Sequence, residues 1–332
     1  MKIAVDAMGG DYAPQEIVKG AVDAANSDGI EVILVGSEKT VREELKKYSY
    51  PGELISVAHA SEIIGMDEHP ARSVRRKKDA SLVIAARLVK SGQAAAFVSA
   101  GNTGAQMAAS LFEIKRIPGI ERPGIATVLP SPGGQPRVLI DSGANADTKV
   151  QQLVQFAYLG SVFAESVLMR ENPQVGLLNV GSESSKGSEM VVEAYKTLQA
   201  AENINFIGNI EGRQLLTADV DVIVCDGFVG NITLKAVEGV AAALMTMMKE
   251  ELTKNLLRSI GGILVKPGIK DIIKIMDYSE YGGAPLLGVN GISVICHGSS
   301  RARAIKNAIY YAYRAVQNDL LGRMREGLGV RN

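Results

Sequence analysis

The feature that most constrains the fold is a unit that recurs along the chain: a short apolar run, a polar turn rich in glycine, and a segment with helical periodicity. RVLIDSGANADTK before VQQLVQFAYLGSVF is one example, and VIVCDGFVGN and ISVICHGSS begin others. Short apolar runs bounded by turn residues indicate buried strands, and strands that alternate with helices form right-handed crossovers. The sequence therefore predicts an α/β fold whose largely parallel sheet carries helices on both faces.

Two stretches depart from this unit. Residues 129 to 137, LPSPGGQPR, predict a turn between two strands in an antiparallel excursion at a sheet edge. Residues 240 to 276 form a long helical stretch broken at Gly261, Gly262 and Pro267, which predicts a projecting helical hairpin. We therefore predict one α/β domain over residues 1–332, with the hairpin at residues 240–276 inside it.

Composition excludes several classes of protein. The chain has 332 residues, of which 46% are hydrophobic, and its 36 basic residues balance 36 acidic ones. No global charge therefore attracts nucleic acid, and an interaction with an anionic membrane would need a local basic patch. Cys225 and Cys296 lie in apolar runs typical of buried thiols, and the apolar run in MKIAVDAMGG is too short for a secretory signal. We expect a reducing, cytoplasmic compartment.

The polar turns are the candidate site. In open parallel sheets, ligands bind beyond the carboxyl ends of the strands, so we expect these turns to share one edge and to converge on one cleft. For any single turn, ordinary capping with glycine and asparagine is the better explanation. Several such turns together favour a binding site.

The strand-to-helix turn CDGFVGNITLK, residues 225 to 235, combines two glycines with an aspartate, an asparagine, a threonine and a lysine. It matches neither the Walker loop nor the dinucleotide fingerprint. We predict that Asn231, preceded by Gly230, caps a helix whose first N–H groups bind a phosphate-sized dianion, with Lys235 one turn further on. Lys186 in NVGSESSKGSE offers a second positive charge, or is a solvated loop lysine.

The chain also resembles a known family nearly from end to end. The motifs that carry the resemblance are DAMGGDYAP, RRKKDAS, SAGNTGA, LLNVGSESSKG, INFIGNIEGR, DGFVGNITLK, YGGAPLLG and HGSSRARAIKNAI. They are similar to those of the bacterial phosphate acyltransferases of phospholipid synthesis. The resemblance implies conversion of acyl-[acyl carrier protein] and inorganic phosphate into acyl phosphate. It also implies a fold related to isocitrate and isopropylmalate dehydrogenases and phosphotransacetylases, a homodimer, and peripheral attachment to the inner face of the cell membrane.

The sequence gives no support for a covalent acyl-enzyme or a metal-dependent route, because no nucleophile elbow, zinc-protease motif or cysteine beside a base occurs. We expect phosphate to attack the thioester directly, with no cofactor and no metal. The leaving thiolate needs little protonation, so the enzyme mainly positions the reactants and stabilises the oxyanion. Lys186 is predicted to hold phosphate or the oxyanion, and Asn231 to donate a hydrogen bond at the same centre.

Other polar residues are further candidates. Those predicted for catalysis are Asp226 and His297, and those predicted for substrate or phosphate binding are Gly101, Asn102, Thr103, Gly230 and Lys235. His297 could equally be a satisfied core histidine. Asp6 and Asp11 flank the first glycine turn, where capping of the turn is at least as good an explanation as catalysis.

Two surfaces are predicted to bind partners. The basic run Arg72, Arg75, Arg76, Lys77 and Lys78 would dock the acidic acyl carrier protein, or is a solvated helix start with arginines that face phosphate. Leu256, Leu257, Ile260, Ile263 and Leu264 recur at helical spacing. They would contact an anionic membrane, where a membrane glycerol-phosphate acyltransferase uses the product, or would pack inside the dimer.

Three other functions stay open at this point. A nicotinamide-dependent dehydrogenase would share the related fold. A phosphotransacetylase would act on a short acyl-coenzyme A with the same phosphate chemistry. A non-catalytic scaffold at the membrane would tolerate alanine at Lys186 and Asn231.

Overall fold

The computed structural model describes residues 1–132, 135–276 and 282–327 of the chain. The strands are β1 (Lys2–Asp6), β2 (Glu31–Gly36), β3 (Ile55–His59), β4 (Ala96–Ser99), β5 (Gly124–Leu129), β6 (Arg137–Ile140), β7 (Gln174–Asn179), β8 (Asn205–Glu211), β9 (Val222–Val224), β10 (Ala284–Leu287) and β11 (Ile292–Ile295). The helices are α1 (Gln15–Asp28), α2 (Glu38–Leu45), α3 (Pro70–Arg76), α4 (Ser81–Lys90), α5 (Thr103–Ala109), α6 (Val150–Ser166), α7 (Glu189–Gln199), α8 (Gly227–Thr253), α9 (Leu256–Met276), α10 (Ala302–Gln317) and α11 (Leu320–Glu326).

All the strands form one sheet in the order β3-β2-β1-β4-β11-β10-β5-β6-β9-β7-β8. Helices cover both faces, as alternate side chains of β1 show. Ile3 packs in one core with Ile17 of α1 and Ile305 of α10, whereas its neighbour Ala4 packs in another with Val83 of α4. Alternation of this kind follows from the two-residue period of a strand. The predicted fold class, a mostly parallel α/β sheet between helices, is confirmed.

The direction of the strands reverses in the middle of the sheet. The pairs β11–β10, β10–β5 and β5–β6 are antiparallel, and the remaining neighbours are parallel. The block β3-β2-β1-β4-β11 therefore runs opposite to the block β6-β9-β7-β8. We call the edge at the carboxyl ends of the first block the first edge, and the edge at the carboxyl ends of the second block the second edge. The expectation that all polar turns share one edge is wrong.

The stretch LPSPGGQPR joins β5 to β6, and this pair is antiparallel as predicted. Its predicted position at a sheet edge is wrong, because β10 pairs with β5 on one side and β9 pairs with β6 on the other. The two glycines of the turn, residues 133 and 134, lie outside the described residues.

The helical hairpin begins earlier and turns elsewhere than its glycines suggest. Its arms are α8 and α9, and they pack against each other. The chain turns at residues 254–255, where Oδ1 of Asn255 accepts the Arg258 N–H at 2.9 Å and caps α9. Gly261, Gly262 and Pro267 lie inside α9, so the predicted break there is wrong.

The arm α8 is 27 residues long, and its most apolar window has a mean hydropathy of 1.3 with 6% of its residues buried. Among the described residues it is the one helix long and apolar enough to cross a bilayer, which by itself indicates a span only weakly. Its first turn packs against β6, so one end of the hairpin is anchored in the sheet.

Candidate active site

The loop that carries Lys186 is fixed at the second edge by two asparagine side chains. Nδ2 of Asn179, at the end of β7, donates to the Lys186 carbonyl at 2.9 Å, and Nδ2 of Asn209 donates to the Glu183 carbonyl at 2.9 Å. Gly187 has a φ of +101°, and a Cβ there would lie 2.6 Å from Oδ1 of Asn179, so this position requires glycine. The exposed side chain of Lys186 therefore extends from a backbone that is well anchored.

The helix after β9 has its N-cap five residues before the predicted one. Oδ1 of Asp226 accepts the Val229 N–H at 2.8 Å, which makes Asp226 the N-cap and Gly227 the first residue of α8. Asn231, predicted as the cap, lies inside the helix just after its first turn and is half-buried. Aspartate satisfies an N-terminal N–H as well as asparagine does.

Three N–H groups of the predicted anion site at the helix N-terminus already have partners within the protein. The Gly227 N–H donates to the Asn145 carbonyl at 2.9 Å, the Val229 N–H to the Asp226 carboxylate, and the Gly230 N–H to the Asp226 carbonyl at 2.9 Å. A carboxylate at the cap also repels a phosphate dianion. Lys235 is exposed and lies a further turn along α8. Anion binding by Lys186 and Asn231 at this edge stays a prediction.

Asp141, which follows β6, supports this part of the site and was not singled out from the sequence. Its buried carboxylate accepts the N–H groups of Ile125, Gly143, Ala144 and Asn145 and the side-chain amide of Asn145, at 2.8 to 3.1 Å. Burial raises the pKa of Asp141, and these hydrogen bonds oppose the rise.

The loop folded around Asp141 lies against Asn231, since a Cβ on Gly143 would be 3.4 Å from the Asn231 amide. Asp141 therefore positions Asn231 through this loop. The sequence offered no means of separating it from other turn aspartates, because its role depends on contacts with β5 and α8.

Gly230 has a packing role. A Cβ at this position would lie 1.9 Å from the Asp141 carbonyl oxygen and 3.0 Å from Sγ of Cys225. The residue is buried between α8 and the end of β6. Its N–H is used within the helix, and the predicted phosphate contact of Gly230 stays a prediction.

A second group of predicted residues lies at the first edge. Oδ2 of Asp6 accepts the Ser99 hydroxyl at 2.7 Å, and that hydroxyl oxygen accepts the Gly101 N–H at 3.0 Å. Oδ1 of Asp6 also accepts the Met8 N–H at 3.2 Å. Burial raises the pKa of Asp6. These bonds fit the turn-capping explanation of Asp6 and give buried Gly101 a structural contact.

Asn102 is occupied by structural contacts. Its Nδ2 donates to the carbonyls of Met66 at 2.9 Å and Glu68 at 3.2 Å, and its Oδ1 accepts the Ala105 N–H at 3.0 Å to cap α5. Both ends of the buried amide have partners, which gives Asn102 a structural role, and its phosphate contact stays a prediction.

Thr103 and His297 remain candidates at the first edge. Thr103 is exposed at the first residue of α5. His297 is also exposed, so the alternative of a core histidine is wrong, and its Nδ1 lies 2.7 Å from the Ser299 hydroxyl. Their roles stay predictions.

The basic run is divided by its contacts. Arg72, Arg75 and Arg76 line a surface depression of about 440 Å³, and the Arg75 guanidinium lies 4.9 Å from the centre of the Phe112 ring. Lys77 instead turns inward, with Nζ 2.5 Å from the Glu68 carboxylate. The Gly65 N–H, then Lys77 and Ser73, lower the pKa of Glu68 to about 2.

Lys77 is therefore a structural ion pair, whereas the three arginines and Lys78 are exposed. Helix α3 packs on α5, which places the arginines on the side of the first edge.

Comparison with known proteins gives consistent results. A family model described as fatty acid synthesis protein matches residues 1–323. A phosphate acyltransferase from Pelotomaculum thermopropionicum is 55% identical over 328 residues, covering 99% of this chain and 95% of its own. A phosphate acyltransferase from Desulfitobacterium hafniense (strain DSM 10664 / DCB-2) is 53% identical over 329 residues, covering 99% and 98%.

Solved structures share the fold at low sequence identity. A phosphotransacetylase from Streptococcus pyogenes superimposes with a TM-score of 0.64 at 18% identity, covering 96% of this chain and 94% of its own. A branched-chain phosphotransacylase from Enterococcus faecalis gives 0.59 at 15% identity, covering 95% and 99%. A 4-hydroxythreonine-4-phosphate dehydrogenase from Klebsiella pneumoniae gives 0.53 at 15%, covering 94% and 98%. These likenesses establish the fold alone.

The contact between α8 and the Asp141 loop predicts a stability difference between two glycines. Gly230→Ala should lower the free energy of unfolding by about 1–3 kcal/mol, because the new methyl group overlaps a backbone carbonyl. Gly239→Ala, on the same helix with open space around it, should be neutral or raise stability by up to about 1 kcal/mol. Urea denaturation followed by circular dichroism measures both. Equal stabilities for the two variants would contradict the packing described.

Proposed function

The chain belongs to the fatty acid synthesis protein family and is a phosphate acyltransferase, and from this premise we propose that it transfers long-chain acyl groups from acyl-[acyl carrier protein] to inorganic phosphate. The family membership confirms the resemblance found in the sequence. The proposed product is an acyl phosphate for phosphatidic acid synthesis.

One observation carries this proposal. A pocket of about 340 Å³ opens at the carboxyl ends of β7 and β9, between the loop that follows Lys186 and the first turns of α8. Asn179, Gly187, Ser188 and Asp226 are among its lining residues. An apolar cavity suited to an acyl group therefore opens at the same sheet edge as the loop of Lys186 and the helix that carries Asn231.

The proposed reaction is direct. A phosphate oxygen attacks the thioester carbonyl carbon, the tetrahedral intermediate collapses with cleavage of the C–S bond, and the thiolate leaves with its electron pair. The pocket includes one cysteine, Cys225, and burial raises the pKa of its thiol well above the ordinary value. The neutral thiol is a poor nucleophile, so an acyl-enzyme at Cys225 is disfavoured.

We assign the main work to Lys186 and Asn231. The Lys186 ammonium balances the charge of phosphate or of the oxyanion, and the Asn231 amide donates a hydrogen bond to the same centre. Both act by electrostatic stabilisation of charge that develops during the reaction. Asp226 holds the start of α8 in place, and its proposed catalytic role would be added to that of a cap.

Two rival enzymes are separable by simple assays. The dehydrogenase alternative draws support from the fold alone, and it would require binding of NAD or NADP. A phosphotransacetylase would prefer short acyl-coenzyme A, whereas the proposed enzyme prefers long chains on the carrier protein.

Docking of acyl carrier protein on Arg72, Arg75 and Arg76 would require the proposed homodimer. The arginines belong to the first edge, and Lys186 belongs to the second edge of the same chain. In a homodimer the docking patch of one subunit could serve the second edge of its partner. The exposed apolar stripe along α8, which includes Ile232, Val240 and Leu244, offers a surface for a second copy.

The hairpin is the proposed membrane contact. Leu256, Leu257, Ile260, Ile263 and Leu264 are each between 52% and 82% exposed. Lys254 and Arg258 share Glu251, so their charge is partly balanced.

A groove of about 680 Å³ between α8 and α9 is rimmed by further lysines at 249, 266 and 270. Exposed apolar side chains with surrounding lysines favour shallow insertion into an anionic interface. Such contact would place the acyl phosphate near the membrane glycerol-phosphate acyltransferase proposed to consume it.

The reaction is tested by trapping acyl phosphate with hydroxylamine. Acyl hydroxamate should form only when phosphate and a long-chain acyl-[acyl carrier protein] are both present, and it should still form with a chelator. Lys186→Ala and Asn231→Ala should each lower kcat by about 10² or more if each group acts on the transition state. Lys196→Ala, an exposed lysine on α7, serves as the control. Unchanged turnover in both site variants would refute these roles, and loss of product with the chelator would refute the metal-free route.

Docking is tested by reversing charge. Arg75→Glu with Arg76→Glu should raise KM for the protein-borne thioester and weaken its salt dependence, because rim charges mainly steer association. Arg42→Glu with Lys46→Glu on α2 makes the same change in net charge elsewhere and should leave KM near the wild-type value. If both double variants behave alike, the carrier docks at another surface.

Membrane contact is tested by flotation with anionic liposomes. Leu257→Asp with Ile260→Asp should release the protein from the liposomes while activity on soluble substrate persists, because charged side chains oppose insertion. The control variant, Gln93→Asp with Gln199→Asp, adds the same charge at exposed positions outside the hairpin. It should stay bound to the liposomes. Light scattering follows the oligomer. Loss of the dimer or of the fold in the hairpin variant would show that the face is core.

A further inference from the structure

The pocket at the ends of β7 and β9 has an apolar interior. Its walls include Leu153, Leu177 and Cys225, each no more than 3% exposed, and Leu178 at 8%. Val191 of α7 and Val229 of α8 complete the apolar walls. The most buried part of these walls comes from α6, β7 and the residue that follows β9, so its shape is fixed by the core of the fold.

The mouth of the same pocket, where the lining residues are more exposed, carries both polar and apolar side chains. Asn179, Ser188, Asp226 and Thr233 are its polar members, and Val180 and Val229 are 81% and 38% exposed. The negative charge of the Asp226 carboxylate disfavours binding of an anion at the mouth. The pocket therefore has an apolar interior that opens at the same sheet edge as the loop of Lys186.

These properties select an apolar occupant. A phosphate group or the amide groups of a carrier arm would lose hydrogen bonds to water inside such walls without replacement. A hydrocarbon chain would lose nothing of this kind and would gain from burial. Building on the proposed function, we infer that this pocket holds the part of the fatty acyl chain next to the thioester carbonyl.

The volume of the pocket sets the length of chain that it can hold. A protein cavity of about 150 Å³ accommodates benzene, with six carbons. At similar packing, the pocket of about 340 Å³ holds roughly a dozen carbons. A pocket of this size would give a physical origin for a long-chain preference. The value of kcat/KM should rise with chain length up to roughly a dozen carbons and then level off.

Val191 offers the best position to test this, because it lines the pocket from α7 and is half-buried. Val191→Phe should remove room for about two methylene groups, and each buried methylene changes affinity roughly fourfold. The ratio of kcat/KM for a 12-carbon thioester to that for a 4-carbon thioester should fall about tenfold or more. Val192→Phe is the matched control, since Val192 is also half-buried but does not line the pocket.

The assay uses the full-length protein with saturated acyl groups of 4, 8, 12 and 16 carbons on the same carrier protein. If Val191→Phe does not fold, as judged by circular dichroism, Val229→Phe at the exposed mouth replaces it with the same expected result. A chain-length ratio equal to that of the wild type, or an equal loss for all chain lengths, overturns the inference. A wild-type protein that forms no acyl phosphate from any chain overturns the proposed function instead.

Discussion

The reversal of strand direction in the middle of the sheet governs the arrangement of every functional side chain. Three consecutive antiparallel pairs, from β11 through β10 and β5 to β6, separate two parallel blocks. Because ligands of parallel sheets bind at the carboxyl ends of strands, a chain with two opposed blocks has two candidate edges. Asp6, Asn102 and His297 fall at one edge, and Lys186 and Asp226 at the other.

The parallel blocks were predictable from the sequence, whereas the reversal was not. Each βαβ unit shows helical periodicity and a turn rich in glycine, and both patterns involve only residues that are close in the sequence. Of the three antiparallel pairs, β5–β6 was predicted and β10–β11 joins neighbours in the sequence, whereas β10–β5 pairs Leu286 with Ile125, which lie far apart in the sequence. Local patterns do not specify such pairings, so a prediction from turns alone places them all at one edge.

The same limit explains the helix start. Asp226 and Asn231 are both good caps by residue type, and the sequence favoured Asn231 because a glycine precedes it. In the structure, Gly230 and Gly227 allow α8 to approach the Asp141 carbonyl and the Asn145 carbonyl, which requires both glycines to lie inside the helix. What the two glycines share is a contact with a loop more than eighty residues earlier, which no local pattern encodes.

Helix α8 connects the proposed steps because of where its two ends lie. Its first turns hold Asn231 over the Asp141 loop and form one wall of the apolar pocket, and its last residue reaches the turn of the exposed hairpin. With a rise of about 1.5 Å per residue, a helix of this length spans about 40 Å. A rigid element of that length would keep the reacting carbonyl near Lys186 while the hairpin meets a membrane. The proposed reaction and the proposed membrane contact would then lie at the two ends of one helix.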